Sequence, residues 1–168
     1  MIEVRRLTRD DWLTWKEMRL RALLGAPDAY GETYANAVAG DDAYWQRWWA
    51  EDGTPRVTVM VFRDGAPAGQ AGGILLRDEN RPILVAMWVD PEHRGTGTAG
   101  ALIEEIVDWG REQGFDRMTL GVTQGNDGAR KLYLRHGFEP TGRFEALHSN
   151  PTLSIEWMVR ALEPVQDL

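Results

Sequence analysis

The chain has 168 residues, with eight tryptophans, no cysteine, and 19 Lys plus Arg against 26 Asp plus Glu, a net charge of −7. The lack of cysteine excludes a disulfide scaffold, a thiolate zinc site, an iron–sulfur cluster and a cysteine nucleophile. The acidic balance lacks the field of a non-specific nucleic-acid binder, and no stretch approaches the ~18 consecutive apolar residues of a membrane span.

Residues 2–7 predict a short strand. Thr8-Arg9-Asp10-Asp11 has the form of a capping box with Asp in place of Glu. It opens a helix to about Leu24, with Trp12, Trp15, Leu20, Leu23 and Leu24 as apolar positions. Gly25-Ala26-Pro27 stops that helix, and residues 28–40 allow a short helix holding Tyr30 and Tyr34. A second helix over Asp41–Glu51 carries Trp45, Trp48 and Trp49. Arg56–Phe62 and Ala66–Leu76 flank the turn dipeptide Asp64-Gly65 as two antiparallel strands. Ile83–Val89 is a further strand, followed by a helix from about Thr98 to Gln113 that Gly114 caps. Met118–Val122 reads as a strand, Asn126–His136 as a helix ended by Gly137, and Phe138–Phe144 and Leu153–Ala161 as strands. Ser149-Asn150-Pro151 is the expected turn before the last strand. A strand–helix–strand unit of this length favours a parallel pair in the middle of a mixed α/β sheet. The length predicts one domain, 1–168. Met1-Ile2-Glu3-Val4-Arg5-Arg6 has no apolar run after its charges, so no secretory leader is read there and the cytoplasm is the expected location.

Asp90-Pro91-Glu92-His93-Arg94-Gly95-Thr96-Gly97-Thr98-Ala99-Gly100 joins a strand to a helix. Its two glycines permit tight backbone geometry, and the small residues at 98–100 let a ligand approach. The free N–H groups of the first helical turn carry partial positive charge and suit a phosphate, with Arg94 as a cation beside them. Gly95-x-Gly97-x-x-Gly100 also has the form of a dinucleotide fingerprint. Five residues separate it from its strand, however, and Met118–Val122 ends in Thr123-Gln124 with no acidic residue. No Gly-Lys-Ser/Thr follows, so a nucleotide P-loop fails as well.

Read instead as Arg94-x-x-Gly97-x-Ala99, the loop resembles the acyl-CoA loop of the GCN5-related N-acetyltransferase (GNAT) family. Downstream, Asn126-x-x-Ala129-x-x-x-Tyr133-x-x-x-Gly137-Phe138 is similar to that family's second motif at all five positions. With the strand Met87-Trp88-Val89-Asp90-Pro91, the resemblance runs over roughly residues 83–144. It implies a mixed, mostly antiparallel sheet of six to seven strands with a splayed central parallel pair, flanked by about four helices. Residues 83–144 would then be the cofactor core, with residues 8–52 and the strands within 138–162 on the acceptor side.

The resemblance also implies acetyl-CoA as co-substrate. Its pantetheine arm would bond the backbone at Trp88 and Val89, and its diphosphate would rest on Arg94, Gly95, Thr96, Gly97, Thr98 and Ala99. Asn126 would meet the arm or an ordered water. Tyr133 would also touch the cofactor and serve as the candidate to protonate the leaving sulfur. The absence of cysteine disfavours an acetyl-enzyme, so the transfer is expected to be direct, within a ternary complex. The base has no clear signature. Glu32 and His93 are candidates, and a water relay ranks ahead of both. The expected acceptor is a primary amine of a small molecule; a protein N-terminus or lysine and a non-catalytic acyl-CoA-binding module are the alternatives. Family members often dimerise, which leaves a homodimer open. Trp45, Trp48 and Trp49 read more readily as core than as an acceptor pocket. Arg130, Lys131 and Arg135 form a basic rim that would steer an anion, while Glu104 and Glu105 read as exposed helix surface. His93, His136 and His148 have no metal-ligand spacing, so no metal is expected.

Overall fold

The β-branched and aliphatic residues of the central segments alternate between two faces, and each face acquires its own core. The computed structural model describes residues 1–163; residues 164–168 of the expected 1–168 domain lie outside the described residues. Strands β1 (Ile2–Arg6), β2 (Arg56–Arg63), β3 (Ala66–Leu76) and β4 (Arg81–Val89) form an antiparallel meander. Strands β5 (Arg117–Thr123), β6 (Glu139–Leu147) and β7 (Asn150–Ala161) complete a seven-stranded sheet in the order β1-β2-β3-β4-β5-β7-β6. Only β4 and β5 run parallel, joined by helix α4 (Thr98–Glu112). The mixed, mostly antiparallel sheet with a central parallel pair therefore stands as expected.

On β2, Val59 and Val61 point to one face, and Met60 and Phe62 to the other. The first face packs against α4, through Leu102, Ile103, Ile106 and Val107, and against α5 (Asp127–Arg135) through Tyr133. The second packs against α1 (Trp12–Gly25), α2 (Tyr34–Val38) and α3 (Asp42–Gln46). No helix among the described residues is long and apolar enough to cross a membrane.

The parallel pairing is short. Residues Ile83 and Leu84 pair with Thr119 and Leu120, and there the ladder between β4 and β5 stops. The cause lies on the β3 side, where the register passes from Gly72–Val85 to Gln70–Trp88. Ala86 and Met87 together oppose Ala71, and Ala86 adopts φ +58. Such a bulge bends and twists its strand, so β4 turns away from β5 and leaves an open V.

Several elements differ from the sequence reading. Five α-helices are present among the described residues, since the short α2 forms as a helix of its own, and the region expected as one helix over Asp41–Glu51 is α3 followed by a tighter 3-10 turn, Arg47–Trp49. Helix α2 begins at Tyr34, leaving Tyr30 extended (φ −131) in the preceding loop. Helix α1 buries Trp15, Met18, Arg19, Ala22 and Leu23 and leaves Leu24 exposed. A buried arginine inside that stripe is why its apolar period is faint. The Thr8 capping box forms, with the Asp11 carboxylate accepting from the Thr8 N–H at 2.8 Å. The last hairpin turns at His148-Ser149, with Leu147 paired to Asn150, so Asn150 and Pro151 belong to β7 rather than to the turn.

Gly69 sets how closely α4 approaches the sheet. A Cβ there would lie 2.9 Å from the Trp88 carbonyl oxygen and 3.0 Å from Thr98 Cγ2. Gly69→Ala is expected to destabilise the fold by about 1–2 kcal/mol in urea unfolding, since overpacking outweighs the small entropic gain of removing glycine.

Candidate active site

The loop between β4 and α4 presents a run of unclaimed backbone donors. Gly95 (φ +73) and Gly97 (φ +85) occupy the left-handed region, which strains any residue with a Cβ. The first helical bond runs from the Ala101 N–H to the Gly97 carbonyl at 3.1 Å, and the amides of Gly95 through Gly100 have no backbone acceptor among the described residues. Side chains hold this loop from outside. Arg63 donates to Thr98 Oγ1 at 3.1 Å and to the Thr96 carbonyl, while the Thr96 hydroxyl bonds the His93 carbonyl. Asp90, buried, caps the turn by accepting from the Glu92 N–H at 3.0 Å and is paired with Arg21 of α1. A helix N-terminus with free amides and fixed flanks is a seat for an anion.

The free edge of β4 is the second element. The Asp90 N–H bonds the Ala68 carbonyl on β3 at 2.9 Å. By strand alternation the Val89 N–H faces the opposite way, into the V. The carbonyls on that side are already taken: Tyr30 Oη donates to the Met87 oxygen at 2.6 Å, and Arg94 Nε to the Val89 oxygen at 3.2 Å. The edge therefore offers a donor where its acceptors are satisfied. The Arg94 guanidinium lies 5.0 Å from the Trp88 ring centroid, which holds it over the strand.

Residues 26–30 strap the open end of the V. The Thr123 hydroxyl, at the end of β5, donates to the Asp28 carbonyl at 2.6 Å, while Tyr30 reaches β4 and Ser149 Oγ bonds the Tyr30 carbonyl. Between strap, loop and α5 lies a cleft of about 810 Å³.

Asn126 caps α5, its side chain accepting from the Ala129 N–H at 3.3 Å. One face of α5 then directs Ala129 and Tyr133 at the cleft. Tyr133 packs edge-on to Phe138 (centroids 6.1 Å apart), and its hydroxyl has no protein partner among the described residues. Burial raises its pKa, and the nearby Tyr30 adds to the rise. Tyr30 is likewise pushed up to about 12 by burial, against the opposing charges of Arg19 and Arg94. Both phenols are thereby kept as O–H donors. At the rim, His136 Nδ1 lies 3.3 Å from Glu104, which also binds Arg160 at 2.9 Å.

Of the residues singled out in the sequence, Trp88, Val89, Arg94, Gly95, Gly97, Thr98, Ala99, Asn126 and Tyr133 line this one cleft. Thr96 is exposed and outside the lining, its hydroxyl bracing the loop through the His93 carbonyl. Glu32 is not in the lining; its carboxylate is held by Arg19 at 3.3 Å and Arg47 at 3.2 Å. Trp45 is fully buried, and Trp48 and Trp49 pack edge-on to Trp15, so these rings are core rather than cleft wall. Of the basic rim, Arg135 lines the cleft, whereas Arg130 is paired with Glu156 at 2.7 Å. Glu104 and Glu105 are not free surface; Glu104 ties α4 to β7 through Arg160, and Glu105 binds Arg6 at 2.8 Å. Sequence reasoning missed the Tyr30 hydroxyl, Arg21 and Arg63, none of which sits in a local motif.

The sequence profile of the acetyltransferase (GNAT) family matches residues 12–138. An uncharacterized N-acetyltransferase of Mycobacterium tuberculosis is 32% identical over 111 residues, 62% of this chain and 70% of that protein. Streptothricin acetyltransferase of Streptomyces lavendulae is 35% identical over 98 residues, 58% of this chain and 52% of that protein. Among solved structures, YncA of Salmonella typhimurium, a putative acetyltransferase crystallised with acetyl-CoA, superposes with a TM-score of 0.79 at 18% identity, covering 100% of this chain and 98% of that one. A GCN5-related N-acetyltransferase of Kribbella flavida gives 0.78 at 24% identity, covering 96% and 98%. The V between β4 and β5, the amide-rich loop and the profile match together make the chain a member of the GNAT family of N-acetyltransferases.

The raised phenol pKa values have a sign that can be measured. A group whose folded pKa exceeds its unfolded value of 10.0 contributes stability that is complete below that pH and is lost as pH climbs through about 12, in the case of Tyr30. Absorbance at the phenolate band is expected to show at most two of the four tyrosines ionised in the folded chain near pH 11, and all four in denaturant. Full ionisation while the fold persists would refute the burial of Tyr30 and Tyr133.

Proposed function

We propose that this N-acetyltransferase moves an acetyl group from acetyl-CoA to a primary amine of a small molecule, by direct attack in a ternary complex. The observation that carries the reading is that one cleft is lined by two kinds of free donor: the unclaimed amides of Gly95–Gly100, and the Val89 N–H on an edge whose carbonyls are already engaged. A ligand that carries a diphosphate and a carbonyl fits that arrangement, and an extended arm fits the V where the ladder is missing.

Acetyl-CoA supplies the acetyl group as an activated thioester. The amides from Gly95 to Ala99, with Arg94 beside them, would hold its diphosphate, and the β4 edge at Trp88 and Val89 would hold its arm. The Val89 N–H donates to the carbonyl oxygen as charge grows there, and such donors are typically worth ~3–4 kcal/mol. The Tyr133 O–H, kept protonated by burial, donates to the departing sulfur. Asn126 keeps its amide N–H₂ free after capping α5, available to the arm or to an ordered water. Glu32 stands outside this scheme because two arginines hold it away from the cleft lining; His93 does line the cleft, and the amine proton passes to water ahead of it. The strap over residues 26–30 favours a small acceptor, since it narrows the end of the V where the amine must enter. A relative named for streptothricin agrees with that choice.

The protein contributes no thiol of its own, so thiol release reports turnover directly across an amine panel. Tyr133→Phe is expected to lower kcat roughly 10²-fold while the Kd for acetyl-CoA stays within a few-fold. Unchanged turnover would remove Tyr133 from the leaving-group role. In calorimetry, Gly97→Glu is expected to abolish acetyl-CoA binding in a folded chain, because a carboxylate enters the diphosphate seat from a position with open space around it. Retained affinity would sink the loop assignment, and heat with NAD but none with acetyl-CoA would sink the whole reading.

A further inference from the structure

Gly100 is the third glycine of the loop segment, yet it lies inside α4 and makes no left-handed turn. A side chain accounts for it. A Cβ at Gly100 would lie 3.0 Å from His136 Cε1 and 3.1 Å from His136 Nε2. The imidazole at the end of α5 is thus laid over the first turn of α4, beside the free amides of Gly95 through Gly100. We propose that His136 is a proton-gated arm of the anion seat, taking up a proton when acetyl-CoA binds and donating its Nε2–H to the diphosphate. The proposal rests on the acetyl-CoA reading above and assigns a residue that the second motif leaves open.

The ring is held from behind. Its Nδ1 lies 3.3 Å from Glu104 Oε1, and the His136 carbonyl accepts from Arg160 Nη1 at 2.9 Å. Nε2 has no protein partner among the described residues, and His136 belongs to the cleft lining. A neutral imidazole has a single N–H. With a carboxylate facing Nδ1, that proton belongs on Nδ1, which leaves Nε2 a bare lone pair against Gly100. A phosphate oxygen would be repelled there until Nε2 is protonated as well. With both nitrogens protonated, the ring is a cation between two anions, Glu104 and the diphosphate.

The charged groups around the ring favour that change only when the ligand is present. Glu104 of α4 is shared with Arg160 of β7 at 2.9 Å, so its charge is already matched in the free chain. Arg135, next to His136 at the end of α5, and Arg94 and His93 of the loop share the cleft lining. These basic neighbours oppose one more cation in the free chain. A diphosphate reverses the balance by placing negative charge against the ring. The proton comes from solvent, and histidine is the side chain that changes charge near neutral pH. Binding is therefore expected to strengthen as pH falls and to weaken as it rises, since the bound state holds the extra proton.

Calorimetry with acetyl-CoA near neutral pH, repeated in buffers of different ionisation heat, reads that proton directly. The wild-type chain should take up a fraction of a proton, at most about one, per ligand bound. The analogue 3′-dephospho-acetyl-CoA keeps the diphosphate but lacks the phosphomonoester, which itself titrates in this range, and it should give the same uptake. His136→Gln should bind acetyl-CoA roughly tenfold more weakly or worse, with no uptake. His136→Lys supplies a fixed cation and should bring affinity back to within a few-fold of wild type, again with no uptake. A purely structural role for His136 would weaken both variants alike and leave no proton signature. Wild-type binding without proton exchange, uptake lost with the dephospho analogue, uptake that persists in His136→Gln, or a lysine variant as weak as the glutamine one would each overturn the proposal while acetyl-CoA binding stands. No heat with acetyl-CoA in the folded wild-type chain would instead remove the reading on which it rests, and the proposal with it.

Discussion

The hydrogen-bond ladder between β4 and β5 ends at Leu84, yet β4 continues to Val89 and β5 to Thr123. The Ala86 bulge forces that separation, at a cost of order 1 kcal/mol for a left-handed residue with a side chain. A gap in the middle of a sheet strips backbone groups of their partners, and each must be met another way. Here the remedy is selective. Tyr30 and Arg94 satisfy the carbonyls of Met87 and Val89, and Thr123 turns its hydroxyl across to the strap. The Val89 N–H is left over. A defect in the sheet thereby becomes a donor-bearing slot, and the chemistry of the cleft follows from which groups were satisfied and which were not.

The charge of the whole molecule works against an anionic ligand, and local structure reverses it. With a net charge of −7 the chain as a whole repels phosphates. The cleft lining, however, contains Arg94 and Arg135 beside the first-turn amides of α4. Asp90, where that loop leaves β4, is buried and neutralised by Arg21, while Glu92 in the same turn is exposed. A buried ion pair is a poor source of stability, so its value here is geometric: it fixes where the turn leaves β4 and keeps a carboxylate out of the anion seat.

The features legible in the sequence were those whose physical cause is local. Gly95 and Gly97 mark left-handed backbone, Asn126 marks a helix cap, and Tyr133 follows at a helical spacing, so these positions carry their geometry within a few residues of chain. The strand segments and the central parallel pair were legible for the same reason, from hydrophobic period, turn residues and the strand–helix–strand spacing, whereas the place of β7 between β5 and β6 was not. Tyr30 carried no such mark, because its role is set by partners on β4 and in the β6–β7 hairpin. Glu32 was misleading for a related reason: an acidic residue near a tyrosine looks alike whether it faces a cleft or a pair of arginines, whereas Trp45, Trp48 and Trp49, read as core from their helical spacing, are core. Only the docking of α1 shows that Arg19 and Arg47 claim Glu32 and that Trp15 claims Trp48 and Trp49.

The contacts that make the cleft span long stretches of chain. The Tyr30 hydroxyl bonds a residue 57 positions away, Thr123 one 95 away, and Ser149 one 119 away. Gly25, at the end of α1, adds a steric condition, since a Cβ there would lie 2.5 Å from the Trp88 ring. The indole is thus wedged between the end of α1 and the Arg94 guanidinium, and its own Nε1 has no partner among the described residues, so packing alone holds it. It follows that residues 83–144, although they carry every recognisable motif, do not contain the site by themselves. Without α1 and the strap, the Met87 carbonyl would be free, Asp90 unpaired and Arg94 loosened. The edge of β4 would then offer acceptors as well as donors and lose the polarity that the oxyanion role proposed for the Val89 N–H requires.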